Sequence, residues 1–266
     1  MNKPHISWLG LAAALGACAS ANDAPANAAE LPLQDVAYAL HEWTYDGPEG
    51  PRHWAELDAE FEACGHANTQ SPIDLSSKSA SEEDLPNVSP EYGESAIAIR
   101  NTGHTVQFDY DVGGTLVVGD TTYELQQFHF HAQSEHTLDG AHRELELHLV
   151  HKSAEGKLLV LGVFIEPGAA NATLSAAGWD DLPLDANQSF SQPARHFDAR
   201  TLIPGGATYR YEGSLTTPPC TEQVSWIVYE KPITMSRAQI RKFLDAYDRD
   251  FRPTQPLGTR ALRHGA

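Results

Sequence analysis

The pattern that most constrains this chain is a pair of histidines on one predicted strand, followed by a third histidine on the next. His129 and His131 alternate with phenylalanines, so both imidazoles point to one face of a strand. In the following segment His148 shares a face with Glu146, while leucines fill the opposite face. Two adjacent antiparallel strands would bring the three imidazoles together. Three neutral imidazoles with one open position are the ligand set of a catalytic zinc.

The sequence allows two other interpretations of these histidines. A single histidine is usually structural, and the chain has 13 of them. His129 and His131, followed by Glu135, also resemble the first metal-binding motif of cupins. The glycines that bracket the cupin motif are missing, and no second cupin motif precedes His148. The alternation of all three histidines on two strands therefore favours the zinc site.

Composition limits the partners of the protein. The 266 residues include 36 acidic and 18 basic side chains, which gives a formal net charge of −18. This charge argues against nucleic acid or an anionic membrane surface as a partner, because both carry the same sign. A chain of this length can form one large all-β domain, and a hydrophobic content of 41% can support a sizeable core.

The N-terminal residues 1–29 are predicted to be an export signal rather than part of the fold. Lys3 gives a weakly positive start, an apolar run follows, and small residues come next. The run is too short to span a bilayer as a stable anchor. A lipoprotein signal, in which Cys18 becomes the lipidated first residue, is the alternative. We expect a flexible tether at residues 30–41 and a globular domain at residues 42–266, located in the periplasm or secreted.

The cysteine count agrees with export. With Cys18 in the signal, Cys64 and Cys220 remain as an even pair in an oxidising compartment. We predict that these two cysteines form a disulfide. Two buried free thiols are the alternative.

Apolar patterns predict a domain made mostly of strands. The patterns occur at residues 97–99, 106–110, 116–118, 158–165 and 223–229. Only the segment from Ser236 to Tyr247 has apolar residues at helical spacing, and Ser236 is its predicted N-cap.

Nine short runs, in a fixed order along the chain, carry a family resemblance. They are Trp43–Tyr45, His53–Trp54, Asn68–Asp74, Asn101–His104, Gln127–His136, Glu144–His151, Gly213–Pro219, Val224–Trp226 and Arg252–Leu257. Together they resemble the α-class carbonic anhydrases over nearly all of the chain after the tether. The resemblance implies a mainly β (α+β) single domain with a central, largely antiparallel twisted β-sheet and short peripheral helices. It also implies a small-molecule substrate and the reversible hydration of carbon dioxide to bicarbonate and a proton.

The resemblance assigns the zinc ligands and the groups that hold them. The three histidines would bind Zn²⁺ and lower the pKa of a bound water to about 7, a value established for carbonic anhydrases themselves. A ligand histidine needs its other ring nitrogen held. By resemblance, the partners are Gln127 for His129, Glu146 for His148, and a backbone carbonyl near Asp250 for His131. Aspartate stands there in place of the usual asparagine, a change to which a backbone contact is indifferent.

The resemblance also assigns the residues that handle the nucleophile and the substrate. A zinc-bound hydroxide must direct its proton away from the carbon that it attacks. A threonine hydroxyl can accept that proton only if its own proton goes to another acceptor, and these roles match Thr216 and Glu135. Thr217 is expected to contact bicarbonate. The apolar wall for carbon dioxide maps to Val150, Val160, Leu215 and Trp226.

By resemblance, His104 is the residue that exports the proton, and an ordinary histidine pKa suits such a shuttle near neutral pH. By resemblance, Tyr45, Asn101 and Gln107 order the connecting waters. Thr102 stands where the family often has a second asparagine. This difference bears on the rate of proton transfer and not on the identity of the reaction. The cysteine pair matches the bridge of extracellular members, which would lock the loop that carries the two threonines.

Two other functions are compatible with the sequence. A non-catalytic binding protein on the same fold is one, although such relatives usually lack a ligand histidine and this chain has all three. A zinc esterase acting through the same hydroxide is the other. The oligomeric state is not specified by the sequence.

Overall fold

The computed structural model describes residues 42–266. The predicted signal, the tether and the lipidation site at Cys18 lie outside the described residues. Within residues 42–266, no helix combines the length and the apolar character needed to cross a membrane.

Fourteen strands dominate the described residues. Their bounds are β1 Asp74–Leu75, β2 Ser81–Glu82, β3 Val88–Glu91, β4 Ser95–Asn101, β5 Val106–Asp109, β6 Thr115–Val118, β7 Thr121–His131, β8 Thr137–Leu138, β9 Leu145–Ser153, β10 Leu158–Pro167, β11 Ser189–Phe197, β12 Thr208–Ser214, β13 Glu222–Met235 and β14 Arg263–Gly265. A 12-stranded sheet runs in the order β11-β4-β5-β7-β9-β10-β13-β12-β14-β2, with β6 paired to β7 and β3 paired to β6. Its pairs are antiparallel except β10–β13 and β14–β2. Strands β1 and β8 form a separate parallel pair. The predicted mainly β fold with a largely antiparallel sheet is confirmed.

The helices are short and peripheral, as predicted. They are α1 Trp54–Leu57, α2 Ala63–His66, α3 Ala172–Ala176 and α4 Arg237–Leu244, with 3-10 turns at Gly47–Glu49, Ala59–Phe61, Trp179–Asp181 and Ala199–Leu202. Ser236 is the N-cap of α4: its hydroxyl accepts from the N–H of Gln239, and the Gln239 side chain accepts from the N–H of Ser236. This reciprocal pair satisfies two N–H groups that the helix leaves unpaired, which confirms the predicted start.

The alternation of side chains on the central strands divides the interior into two sides. Phe128 and Phe130 of β7 and Leu147 of β9 belong to the larger hydrophobic cluster. The opposite side of the same strands carries the histidines, and His129 lies directly across from His148 in the β7–β9 register. The sheet therefore holds the histidines on rigid, paired backbone.

A third cluster joins the N-terminal helices to the loop after β12. It contains Trp43, Trp54, Phe61 and the disulfide between Cys64 and Cys220. The two cysteines are 156 positions apart in sequence, and their Cα atoms are 5.1 Å apart. The predicted disulfide is confirmed, and the alternative of two free thiols is wrong.

We predict that replacing both Cys64 and Cys220 with serine lowers the free energy of unfolding by roughly 4 kcal/mol, because the unfolded chain regains the entropy of a long closed loop. Urea unfolding of the oxidised protein, the reduced protein and the double variant measures this loss. The reduced protein should unfold like the double variant. Coincident unfolding curves for the oxidised protein and the double variant would contradict the prediction.

Candidate metal centre

The sheet brings the three predicted ligand histidines together. His129 and His131 come from β7 and His148 from β9, and one nitrogen of each ring lies within 4.8 Å of one nitrogen of the other two. Their side chains are buried, with exposures of 8%, 1% and 1%. Three imidazoles therefore converge in a space closed to most of the solvent.

Hydrogen bonds fix which nitrogen of each ring faces the shared space. The bonds are His129 Nδ1 to Gln127 Oε1 at 2.9 Å, His131 Nδ1 to the Asp250 carbonyl at 2.6 Å, and His148 Nε2 to Glu146 Oε1 at 3.0 Å. Because each partner is an acceptor, each bonded nitrogen carries the proton. The other nitrogens, which are Nε2 of His129, Nε2 of His131 and Nδ1 of His148, are left as electron-pair donors. This is the form of an imidazole that binds a metal.

The donor set fits a divalent metal ion. Nε2 of His131 is buried and has no hydrogen-bond partner among the described residues, a condition that ordinarily costs about 1–3 kcal/mol. Burial lowers the pKa of His131, and burial together with His131 and His148 lowers the pKa of His129 well below its usual value. The rings of His129 and His131 are thus neutral, and a metal ion would satisfy the lone pairs of the three ligand nitrogens. Three neutral nitrogens with an open fourth position are typical of zinc.

Glu146 is the centre of a buried polar network behind His148. Its Oε1 also accepts from His136 Nδ1 at 2.7 Å, and its Oε2 accepts from the N–H of His136 at 2.8 Å. Burial alone would raise the pKa of Glu146, but the charges and hydrogen bonds of His136 and His148 lower it overall, so the side chain stays a carboxylate. A Cβ at Gly162, opposite His148 in β10, would lie 2.9 Å from Glu146 Oε1. Glycine leaves room for the carboxylate there.

The network continues to the loop after β12, through residues that the sequence analysis missed. Nε2 of His136 lies 2.7 Å from the Tyr211 hydroxyl, which donates to Ser71 Oγ at 2.9 Å. Ser71 Oγ accepts from the N–H of Ser214, just before Leu215. His136 could have been singled out, because it ends one of the runs that carry the family resemblance. Its partners are distant in sequence, and no local pattern marks them.

A second group of potential metal ligands consists of His136, Glu146 and His148. Within it, Glu146 already binds both imidazoles at hydrogen-bond distances. These bonds account for the proximity of the three side chains, so the group supports the first site rather than forming another.

Glu135 lies beside the candidate metal centre and is fully buried. Its Oε1 accepts from the N–H of Arg252 at 2.8 Å. Its Oε2 has no hydrogen-bond partner within residues 42–266 and lies 3.5 Å from His131 Nε2. Thr216 is also buried, but the expected hydrogen bond from Thr216 is not among the contacts of Glu135. Their joint role stays a prediction.

The side chain of Asp250 takes part in the site, which the sequence analysis did not anticipate. Oδ1 accepts from the N–H of Ala132 at 2.7 Å, and Oδ2 is buried without a partner among the described residues. Burial and the charge of Glu135 raise the pKa of Asp250 well above its usual value. Aspartate at this position is thus not equivalent to asparagine, although the backbone contact to His131 is indifferent to the change.

The predicted apolar wall is assembled from neighbouring strands. Val150, Val160 and Trp226 are consecutive partners across β9, β10 and β13, and Leu215 packs against the cluster that they share. The Trp226 ring centroid lies 4.9 Å from that of His148. The carbonyl of Thr217 accepts from the N–H of Cys220, so the disulfide loop fixes its backbone. Contact of these residues with substrate stays a prediction.

His104 lies stacked on Trp43, with ring centroids 3.7 Å apart and planes 9° from parallel. Tyr45 packs edge-on against the same indole. Burial lowers the pKa of His104 to about 4. This pKa differs from the near-neutral value on which the sequence argument for a shuttle relied, because the sequence did not reveal the stacking partner.

The residues expected to order water have protein partners. Asn101 is buried; its Oδ1 accepts from the N–H of Gly103 and from Tyr247, and its Nδ2 donates to the Pro183 carbonyl. These bonds hold the turn that carries His104. Gln107 faces His129 across the β5–β7 pair. Ordering of water by Tyr45, Asn101 and Gln107 stays a prediction.

Comparison with known proteins gives a consistent family. The sequence model of the eukaryotic-type carbonic anhydrase family matches residues 49–265 of this chain. A carbonic anhydrase of Klebsiella pneumoniae is 38% identical over 87% of this chain and 94% of its own length. One from Nostoc sp. is 41% identical over 83% of this chain and 84% of its own. The α-carbonic anhydrase of Thermovibrio ammonificans, solved with the inhibitor sulfanilamide, superposes with a TM-score of 0.81 at 40% identity, covering 84% of this chain and 99% of that one.

We predict that Asp250→Asn stabilises the zinc-free protein at pH 7 more than at pH 4. Because the pKa of Asp250 is raised on folding from 3.8, the folded protein retains a proton that the unfolded chain loses, and stability falls as the pH rises through this interval. Asparagine removes this loss, at about 1.4 kcal/mol per unit of pKa difference. Urea unfolding at both pH values measures the effect, with exposed Asp120→Asn as the matched control. An equal change at both pH values would contradict the prediction.

Proposed function

Because the chain belongs to the eukaryotic-type (α) carbonic anhydrase family and is therefore an enzyme that hydrates carbon dioxide, we propose that its reaction takes place at a zinc site formed by His129, His131 and His148. The observation that carries the proposal is the convergence of three ring nitrogens, each on an imidazole whose opposite nitrogen is held by a hydrogen bond to an acceptor. Zinc in such a set supplies a nucleophile by lowering the pKa of its water to about 7, as is established for carbonic anhydrases.

The hydrogen-bond partners of the ligands keep this site in its metal-binding form. Glu146 remains ionised and accepts from His148, which makes that imidazole a stronger donor. Gln127 and the carbonyl of Asp250 set the orientation of the other two rings. Loss of such a partner typically lowers metal affinity about 10–100-fold.

Carbon dioxide is apolar and uncharged, so its binding requires an apolar surface next to the metal. Val150, Val160 and Trp226 supply this surface on the same side of the sheet as His148. Leu215 packs against it, and Thr217 is proposed to contact the bicarbonate product. Such a wall disfavours water in the substrate position.

Thr216 is proposed to orient the nucleophile by donating its own proton to Glu135. Support comes from the Glu135 side chain, whose Oε2 is a buried acceptor without a partner among the described residues. Arg252 holds the other carboxylate oxygen through its backbone N–H. A hydroxyl that donates to a fixed carboxylate can accept only through its lone pairs, which selects one orientation of the attacking group.

His104 is proposed to export the product proton. In the position stacked on Trp43 its pKa is lowered to about 4, so a proton carried there is readily released to solvent. Uptake then requires a more solvated orientation, in which the pKa is closer to the ordinary value of about 6.5. Asn101 accepts from the N–H of Gly103 and so holds the turn that carries His104; with Tyr45 and Gln107 it is proposed to order the connecting waters.

The disulfide indicates that the protein matures in an oxidising compartment. We propose a periplasmic or secreted location, with lipidation at Cys18 as the alternative to ordinary signal cleavage. Mass spectrometry of the mature N-terminus separates the two.

We predict that His129→Ala abolishes both zinc binding and carbon dioxide hydration, because two ligands do not retain the metal against solvent. Metal analysis after reconstitution should give one zinc per chain for the wild type and much less for the variant, and stopped-flow hydration should show the parallel loss. His53→Ala is the matched control, since the His53 side chain is half-exposed and its imidazole pairs with Glu56. Full hydration activity in zinc-free protein would refute the site.

We predict that His104→Ala slows hydration in dilute buffer, because proton export then depends on water alone. Added imidazole should restore the rate, since a mobile base can replace the side chain. Zinc content should be unchanged, which separates this effect from damage to the metal centre. A variant as fast as the wild type in dilute buffer would eliminate His104 as the shuttle.

A further inference from the structure

We propose that a pocket on the face of the sheet opposite the metal centre binds a small organic carboxylate. Its volume is about 160 Å³, well above the ~10–15 Å³ that one water molecule needs. Arg210 of β12 lines it. Tyr211, the next residue, contacts His136 on the metal side, and side chains alternate along a strand. The Arg210 side chain therefore lies on the face of the sheet opposite the histidines, while Tyr211 and Trp226 border both the pocket and the metal side.

Two arginines meet at this pocket without a carboxylate between them. Arg210 lies directly across from Arg263 in the β12–β14 pair. Arg210 is only 7% exposed, and its Nε donates to Thr208 Oγ1 at 3.0 Å. Within residues 42–266 neither guanidinium forms an ion pair, although the chain has 36 acidic residues for 18 basic ones.

Like charges directly across a strand pair are destabilising, and a buried charge is costly without a partner. Burial and the charge of Arg263 lower the pKa of Arg210, which reflects the same repulsion. An anion between the two guanidiniums removes this cost. Guanidinium groups bind a carboxylate through two parallel N–H···O hydrogen bonds.

The net charge and the walls of the pocket select the kind of anion. Glu212 also lines it, but Ser225 Oγ holds Glu212 Oε1 at 2.9 Å. Glu212 and Tyr123 both line this part of the pocket. Two arginines against one glutamate leave a formal charge of +1, which a monoanion neutralises.

The remaining wall is apolar and includes Leu85, Pro86 and Val118. A molecule with a carboxylate at one end and an apolar body can satisfy both parts of the pocket. Inorganic phosphate carries more charge than the pocket can neutralise and has no apolar part, so it should bind less tightly.

Calorimetric titration of the zinc-loaded protein with benzoate tests the proposal. The wild type should show saturable binding, and Arg263→Gln and Arg210→Gln should each weaken it about tenfold or more, because a charged hydrogen-bond partner is lost. Arg237→Gln is the matched control, since Arg237 is exposed on α4. Inhibition of hydration by benzoate, measured in parallel, should be the same in wild type and Arg263→Gln, which separates the pocket from the metal centre.

Wild-type affinity in a folded Arg263→Gln variant would overturn the proposal, and circular dichroism establishes that the variant is folded. Phosphate that binds as tightly as benzoate would also overturn it, because the apolar wall would then play no part. Neither result bears on the metal centre, whose residues lie on the other side of the sheet.

Discussion

The structure of the site depends on acceptors placed behind three imidazoles. A histidine can bind a metal through either nitrogen, so three histidines on two strands define a site only when one tautomer of each is fixed. Gln127, Glu146 and the carbonyl of Asp250 achieve this with one hydrogen bond each. The strand register places the rings near one another, and these bonds make them point inward as neutral donors.

Keeping those acceptors inside the protein requires a buried polar network. Glu135 and Glu146 are fully buried, and Asp250 and Arg252 are nearly so. Each buried charge must be matched by hydrogen bonds, and the pairing of Glu146 with His136 and of Arg252 with Gln70 and backbone carbonyls provides them. Two of the buried atoms that remain unmatched, His131 Nε2 and Glu135 Oε2, lie 3.5 Å apart at the candidate metal centre. Unsatisfied hydrogen-bonding capacity is thus present where the chemistry is proposed.

Alternating patterns predicted the strands that carry the ligands, because a strand's side-chain period is strictly two and both faces of β7 and β9 are buried. The even number of cysteines outside the predicted signal predicted the disulfide, and the N-cap residue Ser236 predicted the start of α4. Contacts between distant segments were not predictable from local pattern: His136 meets Tyr211 across 75 positions, and the stacking of His104 on Trp43 changes its pKa. The effect of Asp250 was missed because its burial beside Glu135 exists only in the folded chain. The arginine pair is likewise created by the pairing of β12 with β14.

The disulfide has a further consequence for how the enzyme reaches its active form. Cys64 and Cys220 are the two cysteines of residues 42–266, so one intramolecular pairing is available within this part of the chain. Oxidation of these two thiols therefore needs no reshuffling of an incorrect pair among the described residues. Since Cys220 follows directly on the loop of Thr216 and Thr217, the bond that the oxidant forms also anchors this loop to the cluster of Trp43, Trp54 and Phe61. Catalytic competence would thereby become tied to the redox state of the surroundings.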